Sequence, residues 1–275
     1  MVPCYNEAAR LDTAAVAAFL GRASGVVLVF VDDGSTDGTR AVLHRLAERH
    51  GRSVVALRLE SNQGKAAAVR TGVLHALRAG AGYVGFWDAD LSTPLDEIPR
   101  FSAFLDGHPN LVAAIGARVK LLGRQIERSP LRHYLGRVFA TGASIALRLP
   151  VYDTQCGAKL FRAGPLVRVA FSRPFHTRWI FDVELLARLA EAARRTGSPP
   201  VSQLVAELPL ESWVDVRGSK LRPLAMIGSG LALAAVRRRA RRDVAWGMEN
   251  PLAWAGEGVS DALDERRAQV VRTLS

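Results

Sequence analysis

The sequence predicts an α/β protein with a mostly parallel central sheet flanked by helices, and three observations predict it. Up to about residue 118, short apolar runs alternate with stretches of helical periodicity, the pattern of strands joined by crossover helices. Two acidic clusters, Asp32-Asp33 and Asp88-Ala89-Asp90, each close an apolar run, and open α/β sheets bind ligands beyond the carboxyl ends of their strands. The chain has 275 residues, 49% of them hydrophobic, which is enough to bury a sizeable core.

Taken in order, residues 26–31 are a β-branched run that ends in Asp32-Asp33-Gly34, and 37–50 follow with helical spacing. Residues 54–59 give the next strand and 65–79 the next helix, while 83–87 and 111–115 give two more strands. Beyond 118 the pattern loosens into a helix over 131–147, a short extended piece at 158–161, an amphipathic helix over 182–195 and a strand over 201–208. Residues 221–242 predict a helix with one apolar face and a basic end, and the stretch after Trp246 is weakly periodic and expected to be partly disordered. The resulting organisation is a main domain over 1–216, a basic amphipathic, membrane-facing segment over 217–246 and a tail over 247–275.

Charge points to anionic partners. Lys and Arg number 37 against 26 Asp and Glu, a net charge of +11, and eight basic residues with no acid lie between Arg217 and Arg242. Cys4 and Cys156 are the two cysteines, too few for a disulfide framework or a zinc site. The longest apolar run, 223–236, falls short of the roughly twenty residues that span a bilayer. The expectation is a cytoplasmic protein that lies on a membrane without crossing it, with no nucleic acid as partner.

The chemistry sits in four segments. Asp88-Ala89-Asp90 follows a strand directly, and two carboxylates so placed can share a hard divalent cation that also takes substrate phosphates, although a solvated turn looks the same. In Asp32-Asp33-Gly34-Ser35-Thr36-Asp37, Ser35 or Thr36 can cap the next helix and Asp37 can complement its dipole. That leaves two adjacent carboxylates that need donors, for which a base N–H or ribose hydroxyl is suited. The third segment is Val2-Pro3-Cys4-Tyr5-Asn6-Glu7 and the fourth Asn62-Gln63-Gly64-Lys65-Ala66. There is no G-x-G-x-x-G after a first strand, and Gly64-Lys65 lacks the upstream glycine of a P-loop, so these familiar phosphate loops are excluded.

The segments VPCYNE, VDDGSTDGT, NQGKAAAVRTG and DADLSTP, in this order and spacing, resemble the family 2 glycosyltransferases, which have the Rossmann-like GT-A fold. Residues 153–161, 179–184 and 213–220 resemble the polyprenyl-phosphate sugar transferases, the dolichyl-phosphate β-glucosyltransferases in particular. The resemblance implies that Pro3, Tyr5, Glu7, Asp32 and Asp33 line the base and ribose pocket, with Lys65 and Ala89 also on the nucleotide sugar. It implies Mg²⁺ or Mn²⁺ on Asp88 and Asp90, Arg118 on phosphate or acceptor, and Lys220 closing over the diphosphate. Asp153 is expected to position rather than to abstract a proton, and Arg132 and Arg137 to meet the acceptor phosphate.

The implied reaction is an inverting transfer of a hexose, glucose from UDP-glucose, to a polyprenyl or dolichyl phosphate. A GDP-mannose donor, a polysaccharide or soluble acceptor, and a basic nucleic-acid or membrane binder are the alternatives. Two departures stand out. The family has a full apolar strand before Pro3, here reduced to Met1-Val2, and Ser92 stands where mannose-transferring relatives often have glutamine. Trp87, Trp179 and Phe181 suit either a core or a sugar-stacking surface.

Overall fold

The computed structural model describes residues 1–127, 130–178, 180–214 and 229–251, without the side chains of 127, 130–135 and 229–234. Lys220 of the sequence reading, Trp179 and most of the tail lie outside the described residues, as does the side chain of Arg132.

Three short parallel strands, β1 (Val2–Cys4), β2 (Leu28–Asp32) and β3 (Val54–Arg58), pair in the order β1-β2-β3. A second group is ordered β4-β7-β5-β8, from β4 (Tyr83–Trp87), β5 (Ala113–Ala117), β7 (Ala158–Arg162) and β8 (Val205–Pro209). Met1 joins the two groups, its amino group donating to Gly85 O at 2.6 Å and its carbonyl accepting from Trp87 N at 3.0 Å. The first strand is thus present but short, as the sequence suggests. A small parallel pair, β6 (Gln125–Glu127) with β9 (Ser212–Val214), lies apart.

Strand β7 alone runs against its neighbours, antiparallel to both β4 and β5. The reversal has a consequence for the site. Ala158 pairs with Trp87, so residues 153–157, which lead into β7, arrive at the edge where β1, β2, β4 and β5 end.

Helices cover both faces of the sheet. Alternation along β4 shows why: Trp87 enters a cluster with Phe30, with Val16 and Phe19 of α1 (Thr13–Leu20), Leu43 of α2 (Thr39–His50) and Phe101 of α4 (Glu97–Asp106). Its neighbour Phe86 enters the opposite cluster, with Val69 and Val73 of α3 (Lys65–Arg78), Phe171 of α6 (Pro165–Phe171) and Leu185 of α7 (Phe181–Arg195). Trp87 and Phe181 are therefore core residues, 2% and 0% exposed, and neither presents a sugar-stacking face. Asp12 caps α1 by accepting from Ala15 N, and α7 has Asp182 and Glu184 in its first turn and Arg194 and Arg195 in its last, matching the helix dipole.

One expectation needs correction, and another is described only in part. The 201–208 strand begins as a helical turn, α8 (Val201–Leu204), before β8. Pro200 starts it, its carbonyl accepting from Gln203 N at 2.8 Å, and proline suits a helix start better than a central strand. The helix expected over 221–242 is described as α9 (Ser229–Glu249), and its Val236, Ala240 and Val244 are buried. Val236 and Ala240 pack with Val183 and Ala187 of α7 and with Phe139 and Ala143 of α5 (Pro130–Leu147). At these positions the helix faces inward, whereas residues 221–228 and the side chains of 229–234, which hold most of the apolar run, lie outside the described residues; Arg238, Arg241, Arg242, Met248 and Glu249 are among the side chains the helix shows to solvent.

Candidate functional site

The ends of β1 and β2 are laced together. Asp33 N donates to Cys4 O at 2.8 Å, Asn6 N to Ser35 Oγ at 2.9 Å and Glu7 N to Thr39 Oγ1 at 2.8 Å. Pro3, Tyr5, Glu7, Asp32 and Asp33 are thereby gathered at one edge of the sheet. Asn6 takes φ +50 at the turn, a left-handed conformation that asparagine tolerates well. Neither Ser35 nor Thr36 caps α2; Gly38 holds the cap position, and Asp37 turns its carboxylate to Thr39 N at 2.9 Å.

The two adjacent carboxylates have different tasks. Asp33, 3% exposed, accepts from Gln63 N at 2.7 Å and Gly64 N at 2.8 Å. Both of its oxygens therefore fix the loop before α3, a use the nucleotide-pocket reading did not foresee. Burial pushes its carboxyl above the usual aspartate value despite those two bonds. Asp32 accepts from Ser35 N at 2.9 Å through one oxygen, while the other is buried with no hydrogen-bond partner among the described residues, 4.0 Å from Arg58 Nε. That oxygen is an acceptor held in readiness, since burying one unmade costs about 1–3 kcal/mol.

Asp88 and Asp90 stand just past β4. Lys65, first residue of α3, places Nζ 2.5 Å from Asp88 Oδ1. Burial works against its ammonium, but Asp88, Asp182 and Asp90 outweigh burial and raise its pKa above the ordinary lysine value. Arg10 Nη2 lies 3.9 Å from Asp90 Oδ2, and Nη1 lies 3.3 Å from Glu7 Oε2, so this arginine bridges the turn after β1 and the Asp88–Asp90 segment. Asp90 also accepts from Ser92 N at 3.0 Å. Two carboxylates that each already draw a cation, both hard oxygen donors, fit a divalent ion of the Mg²⁺ or Mn²⁺ type. Ala89 between them is buried.

Along the same edge, past β5, stands a fork. Arg118, one residue past β5, donates Nε to Asp153 Oδ2 at 2.7 Å and Nη2 to Asp153 Oδ1 at 2.8 Å, and its guanidinium lies 5.4 Å from the Trp213 ring. Burial opposes the Arg118 charge, but Asp153 more than offsets it and the arginine is held firmly cationic. Glu207 of β8 fixes the backbone behind Asp153, accepting from Tyr152 N and Asp153 N, each at 2.8 Å. Arg137 of α5 stacks on Tyr152, 4.0 Å from its ring centre, and donates to the Tyr152 carbonyl at 3.2 Å.

Two residues that sequence reasoning passed over hold this region in place. Gly157 lies against Asp88, where a Cβ would collide with the carboxylate, and its carbonyl accepts from Asp88 N at 3.1 Å. Lys159, 1% exposed, donates to Asp182 Oδ1 at 2.6 Å, Cys156 O at 2.6 Å and Thr154 O at 3.0 Å. A lysine inside an apolar strand was the available signal, because lysine is almost never fully buried unpaired. Cys156 is a packing residue, its thiol pushed up to about 11 by burial and by Asp153.

The arrangement offers an acceptor for a nucleoside, a carboxylate pair and cations for a diphosphate, and a separate basic fork, all on one sheet edge. Comparison with known proteins identifies the family. The family model described as Glycosyl transferase family 2 matches residues 1–169. A dolichyl-phosphate beta-glucosyltransferase of Trichomonas vaginalis is 30% identical over 86% of this chain and 69% of its own length. An undecaprenyl-phosphate 4-deoxy-4-formamido-L-arabinose transferase of Pseudomonas aeruginosa is 29% identical over 85% and 69%. The fold is similar to that of Mycobacterium tuberculosis glucosyl-3-phosphoglycerate synthase in complex with Mn²⁺, UDP-glucose and phosphoglyceric acid, with a TM-score of 0.55 at 20% identity over 86% of this chain and 77% of the other. The fold is GT-A, and the chain belongs to glycosyl transferase family 2 and is a glycosyltransferase.

Proposed function

We propose that the protein transfers a hexose, glucose from UDP-glucose, to a polyprenyl phosphate with inversion, working from the cytoplasmic face of a membrane. The observation that carries this reading is the Arg118–Asp153 fork on the same sheet edge as Asp88 and Asp90, taken with the likeness to transferases named for dolichyl and undecaprenyl phosphate.

In this reading the free oxygen of Asp32 receives a base N–H or ribose hydroxyl. Asp88 and Asp90 would hold Mg²⁺ or Mn²⁺, which when bound supplies Lewis-acid stabilisation of the leaving diphosphate. Lys65 contributes a fixed positive charge beside the same diphosphate. A phosphate monoester is already anionic near neutral pH, so the acceptor requires no general base. Asp153 has both oxygens engaged by Arg118; it aims the guanidinium, and Arg118 with Arg137 steers the acceptor phosphate.

The test is transfer to polyprenyl phosphate from UDP-glucose and, in parallel, GDP-mannose, with and without excess chelator. UDP-glucose is expected to serve and chelator to abolish turnover. Preference for GDP-mannose would overturn the donor, and full activity in chelator the metal. Asp153→Asn is expected to raise the acceptor KM more than it lowers kcat, whereas loss confined to kcat, with pH-dependent rescue, would restore a base role.

A further inference from the structure

Charge is unevenly spread within the first 216 residues. Residues 1–117 hold eleven basic and twelve acidic side chains, and 149–216 hold eight and seven. Residues 118–148 hold seven basic side chains against one acid, Glu127. This stretch, separate from the basic run after Arg217, carries the positive excess of the main body.

The same stretch carries exposed apolar side chains. Leu121 is 48% exposed and Leu122 105%, at the tip of the loop after β5, between Lys120 and Arg124. On α5, Val138 and Ile145 are 72% and 73% exposed, seven residues apart and hence on one face. Thr141 and Arg148 are exposed on that face too, while Phe139 and Ala143 pack inward against α7 and α9. Val214 of β9, beside Glu127 in the ladder, is 45% exposed. Two of the cations are paired, Arg118 with Asp153 and Arg124 with Glu211, each at 2.7 Å, and the excess remains positive.

Monomeric proteins seldom leave large aliphatic side chains so bare unless the patch meets a partner. Apolar tips set among cations match a surface that is anionic outside and apolar beneath. We propose that the loop over 118–126 and the outer face of α5 over 136–147 form the surface by which the protein docks on an anionic phospholipid bilayer, Leu121 and Leu122 inserting and Val138 with Ile145 giving the helix its apolar contact. The purpose of such a face rests on the polyprenyl-phosphate reading. The loop leaves the sheet at the edge that carries Arg118, Asp88 and Asp90, so a lipid whose phosphate reached Arg118 and Arg137 would enter alongside it.

Vesicle flotation of the full chain tests this. With phosphatidylcholine and phosphatidylglycerol vesicles the protein is expected to float, and high salt to weaken the association. Leu121→Ser combined with Leu122→Ser is expected to lower the partition coefficient about tenfold or more, because two leucines lose their buried area. Val138→Ser with Ile145→Ser is expected to give a smaller loss. Both variants should keep wild-type turnover on a short-chain, water-soluble prenyl phosphate. Failure of the wild type to float, or wild-type flotation of the Leu121/Leu122 variant, overturns the docking face. Failure of the wild type to use the soluble prenyl phosphate overturns the acceptor reading instead, and flotation still decides the docking face.

Discussion

At the scale of single residues, the carboxylates of the site were legible because their geometry is local. Asp88 and Asp90 follow a strand that ends where its apolar run ends, so sequence alone sets them at the sheet edge. Gly157 was not legible, because its contact with Asp88 comes from strand order: β7 reverses between β4 and β5, and that brings residue 157 across from residue 88. Asp33 shows a task the pattern did not specify, since its oxygens hold the backbone of Gln63 and Gly64 at the same edge. The Gly157 contact makes a prediction. In Gly157→Ala the added methyl group must displace the Asp88 carboxylate, and a misplacement of about 1 Å can cost on the order of a hundredfold in rate. We expect kcat/KM to fall by about that factor while the thermal midpoint moves only a few degrees. An unchanged kcat/KM would show that Asp88 need not stand where this contact places it.

At the scale of elements, periodicity found β2 to β5, α2 and α3 to within two residues, since each is a local apolar pattern closed by Gly, Pro or Asp, while the short helices α1 and α4 went unread. It did not reveal that the 158–162 strand is antiparallel and central, because direction is a tertiary property. What holds that strand's entry loop is the buried Lys159–Asp182 pair, which ties β7 to the first turn of α7. Breaking one partner of a buried pair leaves the other charge uncompensated, at about 3–5 kcal/mol. Lys159→Met should therefore destabilise the protein by about that amount in urea unfolding. Lys159→Met with Asp182→Leu should recover most of the loss, because the desolvation cost disappears with both charges. If the double variant is as unstable as the single one, the pair is not what secures the loop.

At the scale of the whole molecule, the sequence suggested that the main body ends near residue 216, with the following helix facing a membrane. The patterns behind that suggestion are real, since 221–242 is amphipathic and basic, but an apolar stripe does not name its partner. In the fold the described part of that stripe, Val236 and Ala240, is covered by α7 and α5, and a charged hub secures the helix. Arg188 of α7, 0% exposed, donates to Glu184 Oε1 at 2.7 Å and to Asp243 Oδ2 of α9 at 2.9 Å, and His176 Nε2 lies 3.0 Å from the same Asp243 oxygen. The hub also reaches the site, because Glu184 accepts from His176 N at 3.0 Å and the same loop carries Arg178, which bonds Asn62 beside the start of α3. Helix α9 is therefore expected to act as a structural member of the catalytic unit. Asp243→Asn keeps the shape but removes one of two negative charges facing Arg188, which should cost about 2 kcal/mol and, at roughly 2–4 °C per kcal/mol for a chain of this size, lower the thermal midpoint by about 4–8 °C. A chain ending at residue 214 loses Asp243 along with the cover over Val183 and Ala187, and it should lose cooperative unfolding or drop well below the Asp243→Asn variant in thermal midpoint. Calorimetry of both decides the matter, since a truncated chain that melts like the full one would show that α9 adds nothing to the stability of the body it covers.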